Sequence, residues 1–157
     1  MEARFDLRST EQAQRFYKKF AAAGQTIAES TLPRAVQELV KIRASQINGC
    51  GFCTDMHTKE AAAAGETQQR LNLVAAWRDA TVFDEAERAA LALTEEGTRL
   101  ADASTGIAAE AWDAAREHYD DDQLSALITL IALINAYNRL AVISGTPAGH
   151  YRVGQFG

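Results

Sequence analysis

An all-α fold is what this sequence predicts, on three observations. No stretch alternates apolar and polar residues as a half-buried strand would. Only two prolines interrupt the 157 residues. Apolar side chains recur at helical spacing in segment after segment, and alanine-rich runs such as AAAAG at 61–65 and ERAALALTEE at 87–96 suit helices that pack closely. The length fits a single domain over 1–157 with one core. No linker, repeat or low-complexity segment divides it. Large apolar side chains are few, so part of the burial is expected from contacts between subunits.

Seven helices follow in order. Ser9 with Gln12 reads as a capping box opening a first helix over 10–23, which Gly24 ends. Thr31 caps a second, with Pro33 in its first turn and Val36, Leu39, Val40 and Ile47 on a helical period. Asn48-Gly49 stops it. A third helix runs from Gly51 to Ala64 with Gly65 as its cap. The segment 67–80 reads as a fourth, carrying Leu71, Val74 and Trp77 on one face. Asp84 and Glu87 make a capping box for a helix over 85–101, and Ser104 or Thr105 caps one over 106–119. Asp120 to Asp122 place negative charge at the start of a strongly apolar last helix, 121–144, ended by Gly145 and Pro147. The tail after it has no period.

Composition narrows the function classes. The net charge of −5 and the short, acid-flanked basic runs YKK and KIR provide no footprint for nucleic acid. The longest apolar run, LSALITLIALINAY, is short and interrupted for a membrane span. The first residues are charged and show no apolar core of a signal peptide, so a reducing cytoplasm is the expected location. Two cysteines in such a chain point to redox or metal chemistry before a structural staple.

Both cysteines lie in INGCGFCTDMH, residues 47–57. Cys50 falls at the N-terminus of the third helix, where free N–H groups and the helix dipole stabilise a thiolate. Cys53 is one turn on and His57 one turn further, so all three share a stripe. Glu38 lies on the preceding helix within the apolar run VQELVKI. An antiparallel hairpin would fold it back over that stripe to orient His57. Spacing alone leaves several readings open: an activated dithiol with its base, a zinc site of two Cys, one His and Glu38 or water, or two buried small side chains with Glu38 simply paired to Lys41. No second CxxC exists and His118 and His150 sit in unrelated contexts, so no metal is expected. Helix-dipole reasoning makes Cys50 the more acidic thiol. Asn135, Asn138 and Arg139 read as helix–helix or subunit hydrogen bonding, and Trp77 and Trp112 as core or interface anchors.

The segment ELVKIRASQINGCGFCTDMHTKEA, 38–61, closely resembles the core motif of AhpD-like alkylhydroperoxidases in the carboxymuconolactone decarboxylase family: a Glu, then CxxC twelve residues on, then His. Glu38, Cys50, Cys53 and His57 fill all four positions. The likeness continues in 71–96 and in LITLIALINAYNRLAVISG with its Asn-x-x-Asn-Arg pattern, covering about 31–145. The resemblance implies an AhpD-like helical bundle that assembles into trimers or hexamers. It also implies reduction of organic hydroperoxides without metal or organic cofactor. Cys53 would be the peroxidatic thiol, Cys50 would resolve it, and Glu38 with His57 would relay the proton. A dithiol such as a lipoylated or thioredoxin-like protein would reduce the disulfide. Phe52 stands where some relatives carry a second histidine. The alternatives are a non-enzymatic redox sensor and a lactone-acid decarboxylase, the latter belonging to a branch that does not rely on CxxC.

Overall fold

Seven α-helices and two 3-10 turns make up the regular structure of the computed structural model, among the described residues 2–103 and 106–156. No strand occurs among those residues. The helices are α1 (Glu11–Ala28), α2 (Arg34–Ile47), α3 (Gly51–Ala63), α4 (Gln68–Leu73), α5 (Glu85–Thr98), α6 (Ala109–His118) and α7 (Asp121–Ser144).

Helix α2 packs against α3, α5 and α7, and α7 lies against α1, α2, α3 and α5. One core cluster joins Val36 and Val40 of α2 to Leu93 of α5, Ala115 of α6 and Leu124, Leu127 and Leu130 of α7. A second packs the opposite side of α2, with Leu39 and Ile42 against Leu71, Val74, Trp77, Phe83 and Leu91. A third, smaller cluster holds the cysteines: Cys50 and Cys53 against Ala44 of α2 and Ile134 and Ala141 of α7. Helix α7, 24 residues, is long and apolar enough by length and composition alone to cross a membrane. In this fold it is the shared wall of the first and third clusters.

Most expected starts and stops are where the sequence puts them, and the departures have causes in the local chain and in its packing. Thr10, and not a Ser9–Gln12 box, caps α1 by accepting from the Ala13 N–H. The helix also runs through Gly24 to Ala28, with that glycine packed toward Leu133 of α7 at a distance that would admit a Cβ in ordinary contact. Pro33 precedes the first helical residue of α2 and no side chain caps that end. The segment 67–80 is not one helix: α4 gives way to a 3-10 turn at Val74–Ala76. The buried residues here are Leu71, Val74, Trp77, Ala80 and Phe83, three apart throughout, which is the period of a 3-10 helix. Arg88 accounts for the freed carbonyls, donating to Trp77, Arg78 and Ala80.

Helix α5 has the expected Asp84–Glu87 capping box but ends at Thr98, followed by a 3-10 turn, Leu100–Asp102. Helix α6 begins at Ala109, not 106, and its entry N–H at Ala108 is taken by Glu96 from α5. The expected cap at Ser104 or Thr105 lies outside the described residues. Asp120 and Gln123 form a reciprocal capping box on α7, and Gly145 ends it in the left-handed conformation, φ 69°.

The tail, aperiodic in sequence, folds back on α3. Asp55 accepts from the Gly149 and Tyr151 N–H groups, Glu60 from Gly154 N–H and the Tyr151 hydroxyl, and Lys59 donates to the Tyr151 carbonyl. Phe52 packs with Tyr151 and Phe156, and Arg8 lies over Phe156.

Leu127 sits at the centre of the α2–α7 contact with no exposed surface. Leu127→Ala is expected to lower stability by about 3 kcal/mol, read as a lower urea midpoint at unchanged m-value.

Candidate active site

The site begins at a turn. Gly49 adopts φ 65°, a left-handed conformation that lets the chain reverse between α2 and α3. Cys50 follows as the N-cap of α3, extended at φ −81° and ψ 92°. Its sulfur takes the place a serine or aspartate oxygen usually fills, accepting the Cys53 N–H at 3.4 Å. Cys50 is 1% exposed and Cys53 5%, and both are free thiols.

The hairpin folds Glu38 over the α3 stripe. Its Oε2 is 3.0 Å from His57 Nδ1 and its Oε1 accepts from Lys41 Nζ at 2.8 Å. The Lys41 pair and the His57 pair, rivals on spacing alone, therefore coexist on one carboxylate. Burial alone would push the Glu38 carboxyl up, but the hydrogen bonds and charges of His57 and Lys41 overcome it and hold the group at about 2. An ionised carboxylate only accepts, so Nδ1 carries the hydrogen and Nε2 is the atom left to exchange a proton. No hydrogen bond joins His57 to either sulfur among the described residues.

The two thiols titrate as a pair. The Cys53 thiol donates to Cys50 and lowers it from 9.0 to about 7, against the opposing effect of burial. The backbone N–H groups of Cys53 and Phe52 and the side chain of Asn138 add to the lowering. Cys53 is pushed far up by the same hydrogen bond, by burial and by the Cys50 charge. The first negative charge therefore rests on Cys50, as its helix-terminus position predicts.

Two contributors were not foreseen. Asn138, read as a helix–helix contact, does bond across helices, to Ser45 and Asn48, yet it also lies between Ile134 and Ala141, which pack with the cysteines, and it lowers both thiols. Tyr17 of α1 lies close enough to feel a charge on Cys53. Burial raises its pKa, Arg8 opposes, and Cys53 raises it further. The stripe Phe16, Tyr17 and Phe20, stacked toward Tyr137, was the available signal. Of the tryptophans, Trp77 is a core anchor bonded to Glu95, whereas Trp112 is exposed. No group of three or more His, Cys, Asp or Glu among the described residues is arranged to hold a metal ion.

Residues 12–96, which include this whole constellation apart from α7, match the model of the carboxymuconolactone decarboxylase family. The chain belongs to that family. The uncharacterised protein YdfG of Bacillus subtilis strain 168 is 41% identical over 120 residues, covering 76% of this chain and 80% of that protein. A solved structure from Agrobacterium tumefaciens, of unknown function and suggested to be the antioxidant defence protein AhpD, superposes with a TM-score of 0.87 at 32% identity, covering 96% of this chain and all of that one. A debrominase bound to 2,3,4-tribromopyrrole shares the fold at a TM-score of 0.74 and 17% identity, over 84% of this chain and 70% of its own. The all-α, AhpD-like architecture expected from the sequence is thus the one observed.

The depressed Glu38 pKa has a definite consequence for stability. The group ionises more readily folded, at about 2, than at its ordinary 4.5, so its contribution is complete above pH 4.5 and fades as pH falls toward 2. A shift of that size corresponds to about 3 kcal/mol for a side chain so well buried. Glu38→Gln is expected to be less stable than the parent by about that much at neutral pH. The gap should close as urea titrations are repeated toward pH 2, where the parent carboxylate is itself protonated.

Proposed function

We propose that this protein is a thiol-dependent peroxidase that reduces organic hydroperoxides through a Cys50–Cys53 dithiol/disulfide cycle with Glu38 and His57 as proton relay. One observation carries the reading: two buried thiols lie one turn apart at the start of α3, the Cys50 sulfur accepting the Cys53 N–H and its thiol held low, on the same helix stripe as an imidazole whose Nδ1 meets a buried carboxylate.

The charge rests on Cys50, whereas the family resemblance gives the attack to Cys53. One shared proton reconciles them. As hydroperoxide approaches, the proton passes from Cys53 to Cys50, and the Cys53 thiolate attacks the terminal peroxide oxygen. The O–O bond breaks, leaving Cys53 as sulfenic acid and the substrate as alkoxide. His57, held by Glu38 and carrying the proton that the thiol pair gave up first, passes that proton to the alkoxide. The Cys50 thiol then attacks the Cys53 sulfur, water leaves, and a disulfide closes. Two electrons and two protons have passed from the dithiol to the peroxide. A dithiol partner, of the lipoylated or thioredoxin-like class, restores the thiols by exchange. The i,i+3 placement of the cysteines supports the closure.

We place the active form in a homo-oligomer, a trimer or hexamer. Ile128, Val142 and Ile143 are exposed on the outer face of α7, Ile143 by 73%, which supports burial against another copy.

Turnover of an organic hydroperoxide with dihydrolipoamide as reductant tests the reading. Cys50→Ala and Cys53→Ala are each expected to lose at least about 100-fold in rate, because the two act as a unit. Sulfenic acid should be trapped on Cys53 in Cys50→Ser. A rate insensitive to both alanine substitutions would reject the mechanism. One round of oxidation without turnover would make the protein a redox sensor instead.

A further inference from the structure

The mechanism above leaves one buried polar residue of the site without a role. Asn138 has no exposed surface, and Ile134 and Ala141, one turn to either side of it on α7, pack against Cys50 and Cys53. Its amide orientation is forced by its neighbours. Ser45 Oγ spends its single hydrogen on the Lys41 carbonyl at 2.6 Å. Toward Asn138, 3.0 Å away, that oxygen can only accept, so the atom facing it is Nδ2. On the other side Oδ1 accepts from Asn48 Nδ2 at 2.9 Å. An amide nitrogen carries two hydrogens and Ser45 uses one. The second is left over on the stretch of α7 whose neighbours Ile134 and Ala141 pack with both cysteines.

We infer that Asn138 is a positioning residue for the dithiol: its carboxamide, clamped by Ser45 and Asn48, holds an N–H against the sulfurs and favours the state in which the pair has given up its first proton. Charge-assisted hydrogen bonds of this kind are the strong ones, more so where water is excluded. The other titratable groups facing the pair are Tyr17 of α1 and Tyr137 of α7, whose pKa values are raised, and the trio of Glu38 and Lys41 from α2 with His57 of α3. The tyrosines stay neutral through the range where the first thiol ionises, and the trio is not the group Asn138 touches.

The inference rests on the redox reading for its purpose but not for its test, which needs no substrate. Thiolate ultraviolet absorbance is titrated against pH in the parent, Asn138→Ala, Asn138→Ser and Asn135→Ala. Asn135 is the control. It also bonds Asn48, together with Thr98 and the Ile131 carbonyl, at similar depth, but it is not among the main groups that shift either thiol. The first thiol pKa is expected to rise by about one unit in Asn138→Ala, less in Asn138→Ser, which keeps a donor, and by less than half as much in Asn135→Ala, which loosens Asn48 but removes no donor beside the sulfurs. Because the stabilised form is the reduced one, the Asn138→Ala dithiol–disulfide equilibrium should shift toward disulfide by nearly tenfold at about pH 9 and scarcely at about pH 6. A merely structural role would not produce that pH dependence. If Asn138→Ala does not fold, Asn138→Ser is read alone. An unshifted thiol pKa in the folded Asn138 variants, or an equal shift in Asn135→Ala, would overturn the inference. A shifted pKa in a protein without peroxidase turnover would overturn the function and leave this role intact.

Discussion

The side chain of Asn48 ties the redox turn to the rest of the molecule. It is the last residue of the α2 terminus, and its amide donates to Asn135 and to Asn138 on α7, both at 2.9 Å. That fork fixes the point where the chain leaves α2, and so fixes where α3 begins. With the start of α3 fixed, Cys50 is its cap, Cys53 lies one turn in and His57 returns to the level of Glu38. The fork works because every partner is itself anchored: Asn135 holds Thr98 of α5 and receives Arg139, and Asn138 holds Ser45. Among the described residues no buried side-chain nitrogen or oxygen lacks a partner, the condition under which a buried polar network rigidifies a core and does not weaken it.

Helix α2 carries charge on two faces, and each charge is answered by a different element. Glu38 faces α3 and is met by His57 and Lys41. Arg43 faces α5 and is met by Glu95, which also receives Trp77, Arg78 and Arg99. A buried carboxylate without partners would neutralise itself. Here both carboxyls are held at about 2 and stay charged. The Glu95 cluster sets how α2 sits on α5, so it indirectly sets where Glu38 meets α3. Burial of the thiols then does opposite things to the two sulfurs: donors surround Cys50, while Cys53 is left to donate.

What was legible in the chain was whatever is local. Cys50, Cys53 and His57 share a stripe because they are three and four residues apart on one helix, and Glu38 joined them because a glycine turn makes a hairpin. Asn138 is 88 positions from Cys50, and no helical period relates residues on separate helices. Its polarity in an apolar helix marked it, but its partner had to come from the fold. Glycine misled at position 24, which lies inside α1 and faces α7, where packing of the helix outweighs one residue's propensity. The cap of α6 comes from Glu96 on another helix, out of reach of any local rule. The segment 67–80 reads as one helix in sequence; the every-third-residue period from 71 to 83 that marks its break stands out only once burial singles out those residues from their apolar neighbours.

The central claim is that the two thiols are one chemical unit, sharing a proton when reduced and a bond when oxidised. Its most direct measurement is the intact mass of the protein, alkylated under denaturing conditions before and after a single equivalent of organic hydroperoxide. The account predicts two alkyl groups per chain before and none after, with the oxidised mass lower by the two hydrogens of a disulfide within one chain. Retention of both alkyl groups, or loss through a bond between two chains, would contradict it.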